Sequence, residues 1–180
     1  AIKLPERFIL FVGNRHGHKN FNFFIKAIMP VLRKDEDLYI VCAGGEKFSK
    51  DESRFLDKLG IKNRIFRYFV EDDVLSYFYQ KARVFVFPSL YEGFGIPVLE
   101  SLSNNCPVAL SNTSSLPEVA GDAGLYFNPN DELSLMGAVS KIIYDDAVRK
   151  DLQLKGIEQI KKFSWQKTSD ETAKIYSRLI

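Results

Sequence analysis

Short apolar runs alternate along the chain with longer segments in which apolar residues recur every three or four positions. A short run bounded by polar residues indicates a strand, whereas the longer spacing gives a helix one apolar face. The predicted strands are 8–12, 38–42, 64–68, 84–87, 107–110 and 125–127. Strands separated by helical segments are typical of a parallel sheet covered by helices on both faces.

The first predicted helix carries Phe21, Phe24, Ile28 and Leu32 on one face, and we expect Pro30 to kink or shorten it. A polar helix is predicted over 50–59, and the tail is helical after the sixth strand, with residues 135, 139 and 142 on its first apolar face. The sequence therefore predicts one α/β domain over residues 1–180. Its core is a doubly wound, Rossmann-like parallel sheet of about six strands with helices on both faces.

The expected strand order of such a sheet, 3-2-1-4-5-6, fixes where a ligand binds. Ligands lie beyond the carboxyl ends of the strands where the order reverses, which is between the first and fourth strands. The loops at that point are 13–19 and 88–96. The first is the most basic loop of the chain, and the second contains two glycines and a glutamate.

Composition excludes several classes of partner. The 25 basic and 23 acidic residues are interspersed and leave a net charge of +2, so we expect no nucleic-acid partner. No apolar run approaches the roughly 20 residues of a membrane span, and the first residues do not resemble a signal peptide. We therefore expect a cytoplasmic protein with at most peripheral membrane contact, in which Cys42 and Cys106 are buried, reduced thiols.

The stretch 88–100 predicts an anion site. Pro97 suits the first position of a helix, so the free amides of that helix start point toward the glycine loop and attract phosphate. Glu92 lies in the loop, and Glu100 lies about one turn into the helix. Two carboxylates could also serve a glycosidase, and Glu100 could simply stabilise its helix start.

The basic loop offers charges for such a phosphate. Arg15 and Lys19 could neutralise a diphosphate leaving group without a metal. His16 and His18 lack a third ligand, and the D-x-D sequence at 35–37 precedes a strand and so lies at the opposite edge of the sheet. We therefore predict no metal site. Neither a P-loop nor a dinucleotide fingerprint occurs.

Together these residues resemble the carboxyl-terminal, donor-binding domain of the retaining GT-B glycosyltransferases, in particular the group 1 family classed as GT4. Glu92 and Glu100 match its E-x7-E motif, and 88–97 is similar to the consensus around that motif. Residues 11–13 followed by 19–20 are similar to the family's first phosphate loop. Later landmarks at 107–108, 116–123 and 163–165 follow in the family's order, so the resemblance extends over almost the whole chain.

The resemblance implies a role for each matched residue. Arg15 and Lys19 correspond to the pair that binds the donor diphosphate and stabilises it as it leaves, although many relatives carry the arginine where this chain has Asn14. Glu92, the third residue assigned to catalysis, would lie beside the donor sugar, and Glu100 would bind the ribose. The implied donor-binding set is Gly13, Phe69, Val70, Phe94, Gly95, Ile96 and Glu100, in which Phe69 and Val70 lie along the base and Phe94 and Gly95 offer amides.

The resemblance also implies a reaction and its partners. The family transfers a sugar from a nucleotide donor, here UDP- or GDP-linked, with retention of configuration and without metal or cofactor, often in polysaccharide biosynthesis. A GT-B enzyme has two such domains, and this chain corresponds to the second. We expect the absent amino-terminal domain to bind a sugar or lipid-linked acceptor, so that this chain alone binds donor but transfers little. A non-catalytic nucleotide-binding module and a GT-B relative such as a sugar-nucleotide epimerase or a phosphorylase remain alternatives.

Overall fold

The computed structural model describes residues 3–178, and within them the chain forms six strands and eight α-helices. The strands are β1 (Phe8–Val12), β2 (Tyr39–Ala43), β3 (Ile65–Tyr68), β4 (Val84–Phe87), β5 (Val108–Ser111) and β6 (Gly124–Phe127). The helices are α1 (Phe21–Lys34), α2 (Lys50–Lys58), α3 (Asp72–Lys81), α4 (Ile96–Ser103), α5 (Leu116–Ala120), α6 (Glu132–Tyr144), α7 (Asp146–Ile160) and α8 (Trp165–Tyr176).

All strand pairs are parallel, and the sheet order is β3-β2-β1-β4-β5-β6. The prediction of a doubly wound sheet is therefore confirmed, including the order of its strands. Ile9 of β1 lies opposite Ile40 of β2 on one side and Val84 of β4 on the other. The carboxyl ends of β1 and β4 are thus neighbours at the point where the order reverses.

Each face of the sheet has its own apolar core. Ile9 and Phe11 of β1 pack with α1 and α6, whereas Phe8 and Leu10 pack with α3, α4 and α5. Side chains alternate between the faces because successive residues of a strand point to opposite sides. The central strands are buried on both faces, which explains why their sequences are continuous apolar runs rather than alternating ones.

Several predicted boundaries shift by a residue, for identifiable reasons. β3 begins at Ile65 because Arg64 ends a short 3-10 turn and donates hydrogen bonds to the carbonyls of Asp35 and Leu38. The prediction that Pro30 would shorten α1 is wrong, since the exposed Pro30 lies within a helix that runs on to Lys34.

The start of α4 also differs from the prediction. The helix begins at Ile96, so Pro97 occupies its second position rather than the first. Gly95 precedes the helix with a φ of +102°, and this left-handed residue turns the chain into α4 one residue earlier. A proline is equally harmless at the second position, where its missing N–H would have no helical acceptor.

The last helix differs from the others because α8 buries none of its residues. Trp165, Ile175 and Tyr176 are all more than half exposed. Within residues 3–178, no helix is both long and apolar enough to cross a membrane.

Candidate active site

The loops after β1 and β4 meet at the carboxyl edge of the sheet, as predicted. The amide of Leu90 donates to the carbonyl of His18 at 2.8 Å and joins the two loops directly. Residues 17–19 form a 3-10 turn, and Asn20 follows with a φ of 56° before α1 begins. This geometry brings the side chain of Lys19 toward the loop after β4.

Lys19 and Glu92 form the centre of the site. Lys19 Nζ donates to Glu92 Oε1 at 2.6 Å, and the two side chains are only 18% and 14% exposed. The ammonium also lies 4.7 Å from the ring centroid of Phe87, at the end of β4. His18 Nε2 lies 4.0 Å from the same glutamate oxygen. Two residues separated by 73 positions thus form a shielded ion pair where the sequence predicted a phosphate site.

Two serines after β5 fix the backbone of the glutamate loop. The amide of Glu92 donates to Ser114 Oγ at 3.0 Å, and the Ser115 hydroxyl lies within hydrogen-bond distance of the carbonyls of Glu92 and Phe94. Neither serine is among the residues predicted for the site. Their one visible signal is the polar run 111–115 after a buried strand, which indicates a loop at the same sheet edge.

The start of α4 leaves backbone donors open beside this loop. Among the described residues, we find no acceptor bonded to the amides of Phe94, Gly95 and Ile96. The Phe94 and Ile96 side chains are about half exposed, whereas Gly95 is buried. A Cβ on Gly95 would lie 2.9 Å from Leu116 Cδ2, so only glycine fits. Open amides at a helix start suit an anion.

Glu100 lies one turn into α4 and is held by a residue that is not among those predicted for the site. The Tyr79 hydroxyl, from α3, donates to Glu100 Oε2 at 3.0 Å. Burial, and then the negative charge of Glu100, raise the pKa of Tyr79 well above its ordinary value, so the phenol remains a donor. A buried tyrosine usually finds a hydrogen-bond partner, which is the signal that could have identified this contact.

Arg15 is not open to a ligand in this structure. Its side chain is 1% exposed, and Nε donates to Glu52 Oε1 at 2.8 Å while Nη2 donates to the carbonyl of Glu46 at 2.7 Å. The guanidinium carbon lies 4.5 Å from the ring centroid of Phe48. Burial alone would raise the pKa of Glu52, but bonds from Arg15 and from the Ser49 amide hold this pKa below its ordinary value.

The remaining predicted residues lie along the same sheet edge. Gly13 follows β1 with a φ of +95°, and its amide donates to the carbonyl of Ala43 at 2.8 Å. Phe69 and Val70 follow β3, where the Phe69 ring is 73% exposed and Val70 packs partly against the core. The Arg67 guanidinium carbon lies 5.8 Å from the Phe69 ring centroid. An exposed aromatic face at this edge is available to a planar base.

Metal ligands are not clustered in the described part of the chain, where no group of three His, Cys, Asp or Glu side chains could hold an ion. Asp35 lies before β2, at the opposite edge of the sheet, and is bound by Arg7 at 3.0 Å and by the Tyr144 hydroxyl at 2.9 Å. The acidic segment thus lies at the sheet edge where the sequence predicted it. A metal-free reaction stays a prediction.

The fold and the ion pair at the strand-order reversal define a Rossmann-like domain of the kind found in the carboxyl-terminal half of GT-B glycosyltransferases. The chain belongs to the family described as "Glycosyl transferases group 1", whose profile matches residues 1–159. It is 35% identical over 177 residues to O-antigen chain mannosyltransferase B of Escherichia coli, covering 97% of this chain and 46% of that protein. It is 36% identical over 141 residues to O-antigen chain mannosyltransferase RfbU of Salmonella typhimurium, covering 78% of this chain and 39% of that protein.

Solved structures have the same fold. Sucrose-phosphate synthase from Thermosynechococcus elongatus aligns with a TM-score of 0.84 at 24% identity, over 97% of this chain and 45% of that one. The C-terminal domain of the group 1 protein LpcC from Francisella tularensis aligns with a TM-score of 0.75 at 22% identity, over 86% and 84%. This chain spans less than half the length of the two mannosyltransferases.

Proposed function

We propose that this chain is the donor-binding domain of a glycosyltransferase that uses a nucleoside diphosphate sugar. The observation that carries the proposal is the shielded pair of Lys19 and Glu92 beside the open amides of α4. A lysine and backbone amides suit a diphosphate, while a carboxylate suits sugar hydroxyls. Family membership supports the transferase chemistry.

The donor would lie along the carboxyl edge of the sheet. Lys19 and the amides of Gly95 and Ile96 would bind the diphosphate, and Glu92 and the Phe94 amide would contact the sugar. At the other end, Glu100 would accept hydrogen bonds from the ribose hydroxyls. The base would lie along Phe69 and Val70, where the exposed ring supports stacking.

The proposed reaction retains the configuration of the sugar. The bond from the anomeric carbon to the diphosphate oxygen breaks, and a bond from that carbon to an acceptor oxygen forms on the same face. The leaving phosphate takes the acceptor's hydroxyl proton. Lys19 stabilises the charge that grows on the leaving group. Arg15 would assist only after its guanidinium leaves Glu52.

Mannose is the sugar that the relatives favour, because two proteins at 35% and 36% identity are named as O-antigen mannosyltransferases. The acceptor would then be a growing sugar chain, free or lipid-linked. Since those relatives are more than twice as long as the matched segment, we propose that a second domain binds the acceptor. Peripheral contact of the whole enzyme with a membrane would suit a lipid-linked acceptor.

Calorimetric titration of this chain with UDP, GDP, ADP and their sugar conjugates tests the proposal. We expect one base to bind with measurable heat, and we expect no sugar transfer when the chain is incubated with donor and acceptor alone. If no nucleotide binds while circular dichroism shows a folded chain, the donor-site proposal is overturned. Transfer by the chain alone would overturn the requirement for a second domain.

A further inference from the structure

Glu92 already binds the Lys19 ammonium to which an incoming phosphate would also bind. The carboxylate oxygen lies 2.6 Å from Nζ, and the Phe87 ring lies 4.7 Å from the same ammonium. A lysine has three N–H donors, so a phosphate can share the ammonium with the carboxylate. Carboxylate and phosphate would then be neighbours in a site that is largely shielded from water. Repulsion between like charges is strong there because solvent screens it less.

The backbone around the pair restricts how this repulsion is relieved. The Leu90 amide bonds the carbonyl of His18, and Ser114 and Ser115 bond the main chain of Glu92. Glu92 can therefore yield to a phosphate by turning its side chain more easily than by moving its loop. His18 Nε2 lies 4.0 Å from Glu92 Oε1, so a turned Glu92 side chain would still have a polar group nearby.

We propose that Glu92 makes the site prefer a nucleotide sugar over the free nucleoside diphosphate, an inference that depends on the proposed function. A bound sugar brings hydroxyl donors that replace the Lys19 bond to the carboxylate. The free nucleoside diphosphate brings no such donor, and its terminal phosphate carries more negative charge than a sugar-linked phosphate. The carboxylate thus favours binding of the donor and release of the nucleotide product.

Substitution of Glu92 by glutamine separates charge from shape. Glu92→Gln keeps the size and one hydrogen-bond acceptor but removes the negative charge. We expect the Kd of GDP or UDP to fall about tenfold, since the repulsion is lost and Lys19 is freed. The Kd of GDP-mannose or UDP-glucose should change by less than about threefold, because the lost hydrogen-bond strength offsets the lost repulsion. The measured quantity is the Kd of the nucleoside diphosphate divided by the Kd of the matching nucleotide sugar.

Glu36→Gln is the matched control, because Glu36 is exposed in the turn before β2, at the opposite edge of the sheet. This variant removes the same charge and should leave the ratio unchanged. If both nucleotide classes bind and Glu92→Gln leaves their ratio as in the wild type, the inference is overturned while the proposed function stands. If the folded wild-type chain binds none of the four probes, the proposed function and the inference both fail. If Glu92→Gln lowers the ratio and Glu36→Gln does not, the result supports both the proposed function and this inference.

Discussion

At the scale of single residues, Tyr79 shows how the core can hold a side chain that we propose binds the ligand. Its ring is 1% exposed and stacks edge to face on Phe85, while its hydroxyl holds Glu100. Because the ring is fixed by packing, the hydroxyl fixes the carboxylate in turn. Tyr79 is therefore a positioning residue for the proposed ribose contact.

Tyr79→Phe should weaken nucleotide binding without unfolding the chain. Loss of one hydrogen bond costs about 1 kcal/mol, so the nucleotide Kd should rise about threefold to tenfold. Calorimetry gives the Kd, and a urea titration gives the stability. Tyr77→Phe, which removes a hydroxyl from a 41% exposed ring on the same helix, is the control. Equal Kd values for the two variants would exclude the positioning role.

For Arg15 we predict an effect on stability, because its buried ion pair with Glu52 connects the loop after β1 to α2. Removing one partner of a buried ion pair is costly, so Arg15→Met should lower the free energy of unfolding by about 3 kcal/mol at neutral pH. The Glu52 pKa is depressed, so its contribution is present above the ordinary value of 4.5 and is lost as pH falls through the lower folded value.

Urea unfolding of the Arg15→Met variant at about pH 7 and about pH 3 measures this dependence. The cost of the substitution should be smaller at the acid pH, because the stabilisation that Arg15 gives to ionised Glu52 declines once the pH falls below the ordinary value of 4.5. Arg54→Met, which removes an exposed arginine paired with Asp51 on α2, should cost less than about 1 kcal/mol at both values. An equal cost of Arg15→Met at both pH values would contradict the account of this pair.

At the scale of elements, the turn into α4 places open backbone N–H groups at the carboxyl edge of the sheet. Gly95 combines a φ of +102° with a buried position against Leu116 of α5. The chain can therefore leave β4, form the glutamate loop and start a helix within a few residues. The serines before α5 bind that same loop, so α5 supports the site from the side.

Gly95→Ala should distort this turn. Backbone strain and the 2.9 Å contact with Leu116 should lower the free energy of unfolding by about 1–3 kcal/mol. Nucleotide binding should weaken as well, because the α4 amides shift. Gly137→Ala is the control: a Cβ there meets nothing within 4 Å in the middle of α6, so this variant should gain about 0.5–1 kcal/mol. Unchanged stability and binding in Gly95→Ala would contradict the account of the turn.

At the scale of the whole molecule, the sequence predicted the sheet and the meeting of two loops, but not the contacts that tune them. Continuous apolar runs predict the central strands. The parallel arrangement of these strands then predicts that a ligand binds at the carboxyl edge of the sheet. Arg15 and Glu52 are 37 positions apart, and Tyr79 and Glu100 are 21 apart. No local sequence pattern links the members of such pairs, so the structure was needed to show that Arg15 is buried against Glu52 and that the partner of the Tyr79 hydroxyl is Glu100.

At this scale, the carboxyl edge of the sheet carries the proposed donor site, and the last helix, α8, buries none of its residues. Its matched relatives are more than twice as long as the segment it shares with them. This difference in length supports the proposal that the chain binds the donor and that a second domain binds the acceptor. The central claim concerns the chain itself: Lys19 binds the donor diphosphate.

Titration of Lys19→Ala with a nucleoside diphosphate and with the matching nucleoside tests that claim most directly. Lys26→Ala, which removes an exposed lysine from α1, controls for the loss of one charge. We predict that Lys19→Ala raises the Kd of the diphosphate at least about tenfold, because a charge-assisted bond is lost, and changes that of the nucleoside less than about twofold. Equal losses for both ligands, or no loss for the diphosphate, would contradict the account.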